Sequence, residues 1–325
     1  MTTIRVNNKT ITIANKSNES FNYDNLDKES KSLESLALNI EKSVEALNIV
    51  SNIKAIESFG YKSTEGVGEK IKAGAKAVWD KIKQFFINIG RWIKDMFLTG
   101  GAKTRAAALL KKVEAMDENG INFDFEINIS NFKSKTLLQK PIKEILTKLS
   151  ASITSMRSYE KNVIASIDIS YTEDDDKYAG IRENISNKFD ELSDKASLLQ
   201  IELLDKASFF QIATATPDNF GTATLETLGI NSKSAIIDFL KGVSSENNTL
   251  FKALKEMKNI SNDMIQYIDW FEKNCNTEGA DKTQIMCKTC RDFANIIFKL
   301  SKCTWSYCND VLYIIAQTLN TNNKQ

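Results

Sequence analysis

The chain contains no histidine. That removes Ser-His and Cys-His nucleophile pairs, histidine metal ligands and the side chain that most often moves protons near neutral pH. It contains two prolines, Pro141 and Pro217, and 13 glycines in 325 residues. Few helix breakers favour long helical runs. The net charge is +1, so no global excess of either sign points to nucleic acid or to an acidic partner. No run of about 18 apolar residues exists, so no transmembrane helix is expected. The first residues, MTTIRVNNKT, lack a signal-peptide apolar core. There are five cysteines, all between Cys275 and Cys308; an odd number without a secretion signal argues against an extracellular disulfide scaffold.

What is present is a basic, aromatic-rich amphipathic stretch from Gly66 to Gly100. Its apolar positions include Ile71, Val78, Trp79, Ile82, Phe85, Phe86, Ile89, Trp92, Ile93 and Phe97, which keep to one face at a period of about 3.6 residues. The remaining surface carries Lys70, Lys72, Lys76, Lys81, Lys83, Arg91 and Lys94 against Glu69, Asp80 and Asp95. Gly74 and Gly90 weaken this helix, and Gly90 allows a bend. Three readings are open. Lys and Arg opposite Trp, Phe and Ile suit a membrane surface. The same cations suit DNA phosphates. Alternatively the stripe packs on the rest of the protein or a partner helix, and the stripe of Leu33 to Ile53 is the expected partner.

Before this stretch, Ile4, Val6, Ile11 and Ile13 alternate around Asn7-Asn8, the pattern of a small hairpin. Lys28 to Ser58 follows a helical period and is mildly acidic. After it, Ala102 to Met116 reads as a second basic helix. Ile121, Phe123, Phe125, Ile127 and Ile129 alternate with polar residues, which predicts a strand, with Phe209 to Leu225 as the candidate partner. The rest predicts helices over Lys135–Ser170, Tyr178 to about Ser208, Ser232–Val243, Asn247–Asn274 and Asp281–Asn320. The expected fold is mainly α: long amphipathic helices, a helical C-terminal body with a minor β element, and a small N-terminal hairpin. The expected organisation is a propeptide-like segment 1–65, a basic helical segment 66–116 and a helical body 117–325.

Motifs for chemistry are thin. Cys287-Lys288-Thr289-Cys290 with Cys275, Cys303 and Cys308 allows free buried thiols, a Cys275–Cys287 disulfide or a four-cysteine zinc site. The uneven spacing, the helical pattern around it and the lack of a knuckle glycine count against zinc. The acidic run Glu173–Asp176 allows a divalent cation or a solvated turn before a helix, and it does not fit an EF-hand loop. Gly66-Val67-Gly68 is neither a P-loop nor a dinucleotide fingerprint, since no strand precedes it. No cofactor, metal or catalytic residue is expected.

Ser/Ala-x-Glu triplets recur near the N-terminus, including Ala55-Ile56-Glu57 before Ser58 and Ser63-Thr64-Glu65 before Gly66. Together with KAVWDKIKQFF at Lys76–Phe86 and GGAKTRAAALLKKVEAM, this arrangement resembles the internal head proteins of large tailed bacteriophages over about Leu33 to Met116. The resemblance implies a non-enzymatic virion protein inside the capsid, present in host cytoplasm during assembly. It implies packaging with other head core proteins and trimming by a prohead protease at Glu65–Gly66, with Glu57–Ser58 as the alternative. Ejection with the genome is left open, as is contact with genomic DNA or host membrane through Lys70, Lys72, Lys76, Trp79, Lys81, Lys83, Arg91, Trp92 and Lys94. The short hairpin departs from the family pattern. Removing residues 1–65 would take away eight cations and nine carboxylates, leaving the mature chain at +2. The expectation is that the acidic segment masks the helix stripe until cleavage. The rival reading is a membrane-active, host-directed effector or toxin.

Overall fold

The computed structural model describes residues 2–6, 9–13, 67–97, 101–168, 208–214, 221–274 and 280–321, with isolated positions between 31 and 42. It is mainly helical, as the periodicity predicts. The N-terminal hairpin pairs β1 (Thr2–Val6) with β2 (Lys9–Ile13) antiparallel, and Val6 faces Lys9, the register of a two-residue connection.

Helix α1 spans Val67–Phe97 without interruption, through both Gly74 and Gly90. Gly90 makes no break because it lies buried against a second helix, with Asn262 and Lys258 next to it. Helix α2 (Gly101–Glu114) follows at once. Its last carbonyls are received by Lys233, whose Nζ donates to the carbonyl oxygens of Glu114 at 3.2 Å and Met116 at 2.5 Å.

The alternating segment that follows is strand for only two residues, β3 (Ile127–Asn128), paired antiparallel with β4 (Thr222–Ala223). Burial does alternate, with Ile121, Ile127 and Ile129 inside and Asn122, Asp124 and Glu126 outside. The hydrogen bonds go elsewhere. Asn122 Oδ1 accepts from Asp124 N–H and Asn128 Oδ1 accepts from Ser130 N–H, closing local turns that compete with a ladder. The expected partner region is also mostly not strand, since Phe209–Thr214 forms the short helix α4.

Helix α3 (Ile142–Asp168) begins after Pro141, and a 3-10 turn at Leu137–Gln139 takes the place of the earlier start expected at Lys135. The proline ends one hydrogen-bonding pattern and opens the next, where its missing N–H costs nothing. Helices α5 (Lys233–Ser244), α6 (Thr249–Asn274) and α7 (Ala280–Thr321) complete the body. Ser232 caps α5, its Oγ accepting from Ala235 N–H at 3.2 Å. The helix expected over Tyr178–Ser208 and the Glu173–Asp176 run lie outside the described residues.

Helix α7 is the axis of the molecule. From Cys287 to Leu319 it is buried on most of its circumference, through Phe293, Ile297, Tyr307, Val311 and Ile315. Helix α1 lies across α6 and α7, α2 against α5 and α7, and α3 against α6 and α4. One continuous core joins all of them. The stripe of α1 packs against α6 and α7, and most of Leu33–Ile53, its expected partner, lies outside the described residues. Of the described residues in that stretch, Ile40 is buried in the core and Leu36 packs at its edge, while Leu38 is 51% exposed.

Candidate functional site

The sequence singles out α1, so its two faces come first. The buried face carries Val78, Trp79, Ile82, Phe85, Phe86, Ile89, Trp92 and Ile93, each no more than 4% exposed. Trp92 and Phe85 both meet the ring of Phe298 on α7 edge-on, with centroids 5.9 and 6.1 Å away. Such pairs add about 0.5–1.5 kcal/mol to simple area burial. Trp79 and Trp92 are thus core residues in this fold.

The cations of α1 divide. Lys76, Lys81, Arg91 and Lys94 are exposed. Lys83 is half-buried and forms an ion pair with Asp269 of α6. The side chains of Lys70 and Lys72 lie outside the described residues, as do Glu65, Gly66, Glu57 and Ser58. Asp80 and Asp95 are exposed on the same face, four residues after Lys76 and Arg91 respectively. This i,i+4 spacing brings opposite charges together and lowers the net potential of the face.

Two buried polar centres, absent from the sequence reading, hold the helices in register. In the first, Arg157 of α3 meets three carboxylates. Its Nη1 donates to Glu160 Oε2 and to Asp263 Oδ2, both at 2.6 Å, and its Nε lies 2.9 Å from Glu256 Oε1. Glu160 is only 2% exposed. Burial, with the nearby charge of Asp263, pushes its carboxyl up to about 6, against the opposing pull of Arg157. The available signals were the i,i+3 spacing of Arg157 and Glu160 and the seven-residue spacing of Glu256 and Asp263, which puts both on one side of α6.

In the second, Asp310 of α7 accepts from the N–H of Ser134 at 3.1 Å and from its Oγ at 2.7 Å. Burial raises this carboxyl to about 6 as well, although the Ser134 bonds and the charges of Lys133 and Arg105 act to lower it. Next to it, Arg105 Nη2 donates to Asn309 Oδ1 at 2.5 Å and ties α2 to α7.

Both acids bind a proton more tightly folded than unfolded. Their contribution is complete below their ordinary values of 4.5 and 3.8 and is lost as pH rises through about 6. The melting temperature should therefore be higher at pH 5 than at pH 8. Glu160→Gln and Asp310→Asn should each narrow that difference in thermal melts across the range; an unchanged pH profile in both variants would refute the assignment.

Of the described cysteines, Cys287, Cys290 and Cys308 are buried and Cys303 is partly so. Burial pushes Cys290 and Cys308 up to about 12 and Cys303 up to about 11, so these three offer no thiolate near neutral pH. All four sit on α7, and Cys287 and Cys308 are about 31 Å apart at 1.5 Å per residue. One zinc ion cannot take both. A Cys275–Cys287 bond lies in part outside the described residues. A shallow groove of about 430 Å³ runs between α3 and α5, past Pro141, Leu146, Gly229 and Phe239. Gly229 has φ +75°, a left-handed conformation that lets the chain turn against Pro141. Among the described residues no helix is long and apolar enough to cross a membrane. No family model matches the chain, and comparison with curated proteins and with solved structures finds no match either.

Proposed function

We propose that the chain is a non-enzymatic bacteriophage virion protein, packaged inside the head with other core proteins and trimmed by a prohead protease at Glu65–Gly66. The observation that carries this reading is the position of the first long helix. Helix α1 begins at Val67, one residue after the proposed cut, and its apolar stripe is completed by α6 and α7. Cleavage there would sever no described helix and would leave a body built on α1 to α7. Processing by a protease in a crowded shell favours a product of this kind, because a stable body resists further cutting.

The α1 stripe packs against α6 and α7, and Ile40 of the acidic segment reaches the same core. The cut removes that segment together with the cover it gives the core. Burial of Trp79 and Trp92 also counts against the membrane-active alternative, which would need α1 to leave α6 and α7 before it met lipid. Coexpression with the prohead protease is the direct biochemical test. The wild-type chain should yield one stable fragment starting at Gly66, and Glu65→Ala should abolish it. Cutting at many bonds, or none, would argue against a processed head protein.

A further inference from the structure

The buried stripe of α3 ends in a carboxyl group. Ile145, Leu149, Ile153, Met156 and Glu160 fall within about 80° around this helix at 3.6 residues per turn. All five are buried. An apolar side chain at position 160 would hold the helix at any pH. A carboxyl group holds it only while its charge is answered.

The answer is incomplete. Three carboxylates, Glu160, Glu256 and Asp263, meet the one guanidinium of Arg157, and among the described residues no second cation pairs with them. Asn259 of α6 adds a neutral amide, its Nδ2 donating to Glu256 Oε2 at 3.2 Å. Lys161, next in the chain, is exposed. Helix α7 brings Cys290 and Asp292 towards the neighbouring Tyr159, and Asp292 is itself paired with Arg291 at 2.7 Å. Helix α4 has no titratable side chain. Glu160 Oε2 and Asp263 Oδ2 accept from the same nitrogen, Arg157 Nη1, and their carboxyl groups stand within hydrogen-bond reach of each other. Two carboxylates so placed repel when both are ionised, and a proton held between them removes the repulsion. Glu160 then donates its O–H to the Asp263 carboxylate while both keep Arg157.

The proton sits where α3 is held to the body. Helix α1 packs on both α6 and α7, and α2 on both α5 and α7, while α3 packs on α6 and the short α4. Its touch on α7 is Tyr159 against Phe293, with ring centroids 5.1 Å apart. The Tyr159 hydroxyl is buried with no hydrogen-bond partner among the described residues, so this second hold carries an unmet polar group. The C-terminal part of the α3–α6 contact thus depends on the state of Glu160 and Asp263.

We propose that Glu160 and Asp263 share one proton across the α3–α6 contact, and that its loss to solvent, as acid gives way to mild alkali, loosens α3 while α1, α6 and α7 stay packed. The device is a local clasp, distinct from the effect of Glu160 on the stability of the whole fold, and it is independent of where the protein resides. The test is amide hydrogen exchange of the full chain, read by mass spectrometry at pH 5 and pH 8 with exchange times scaled to the intrinsic rate. Peptides of α3 over 145–160 should lose about tenfold in protection between the two, the size set by a carboxyl that titrates near 6 in place and near 4.5 when the helix lifts. Glu160→Gln should abolish that loss, and Asp263→Asn should reduce it, with α1 peptides over 78–93 showing in each variant that the body is folded. Asp310→Asn, in the other buried centre, should leave the α3 response unchanged, because α7 stays folded when α3 lifts. A loss that persists in Glu160→Gln, or keeps its full size in Asp263→Asn, would overturn the proposal. So would an α3 response that shrinks in Asp310→Asn, since α3 would then open only with the whole fold.

Discussion

Phe85→Ala will cost the whole fold about 3–5 kcal/mol, the range for emptying a Phe site in a packed core. Phe85 is fully buried and meets Phe298 on α7. The loss has two parts: the transfer of the ring from core to water, and the cavity left between α1 and α7. Domains of this kind are stable by about 5–15 kcal/mol, so one substitution removes a large share. The measurement is denaturant unfolding monitored by far-ultraviolet circular dichroism, with a shift in midpoint and one transition for the whole chain. The contrast is informative. Were α1 a detachable amphipathic helix that works at a surface, truncating Phe85 would leave the body's midpoint in place. Lys81→Ala on the opposite face serves as the control and should change the midpoint by no more than about 0.5 kcal/mol.

Arg157→Met should destabilise the fold by about 2 kcal/mol or more near neutral pH. Removing one partner of a buried charge cluster leaves the others uncompensated, and here three carboxylates remain. The figure sits below the usual range for a fully buried pair because Glu256 and Asp263 are about a third exposed and water screens them. Glu160 is the costly one, at 2% exposure. Two consequences follow from that asymmetry. Adding Glu160→Gln to Arg157→Met should recover most of the loss, since the amide carries no charge to bury. The single variant should also gain stability more steeply than wild type as pH falls, starting from a higher pH, because without Arg157 nothing opposes the burial that raises the Glu160 carboxyl. A double variant no more stable than Arg157→Met alone would mean that the cluster matters for packing and not for charge.

Periodicity made much of this architecture readable. The α1 stripe was legible because Trp79, Phe86 and Trp92 recur at helical spacing, and the structure buries all three. What covers the stripe was not legible. A stripe states which face is apolar and says nothing about its partner, and several segments of this chain carry one of similar length. Nearness in sequence favoured Leu33–Ile53, most of which lies outside the described residues, while α6 and α7, some 180 to 220 residues further on, contact α1. The 121–129 segment shows a different failure. Its burial alternates as a strand's would, yet Asn122 and Asn128 divert the backbone into turns. Alternation reports which side chains face inward and not where the N–H groups go. Arg157 was hidden because its carboxylates Glu256 and Asp263 lie about a hundred positions away.

The account rests on a cut just ahead of α1 and on the residence of the remaining body inside a phage head. Mass spectrometry of purified phage particles tests both at once. The account predicts peptides covering α1 to α7, an N-terminal peptide beginning at Gly66, and none from residues 1–65. Particles without this protein, or particles carrying it with residues 1–65 intact, would contradict it.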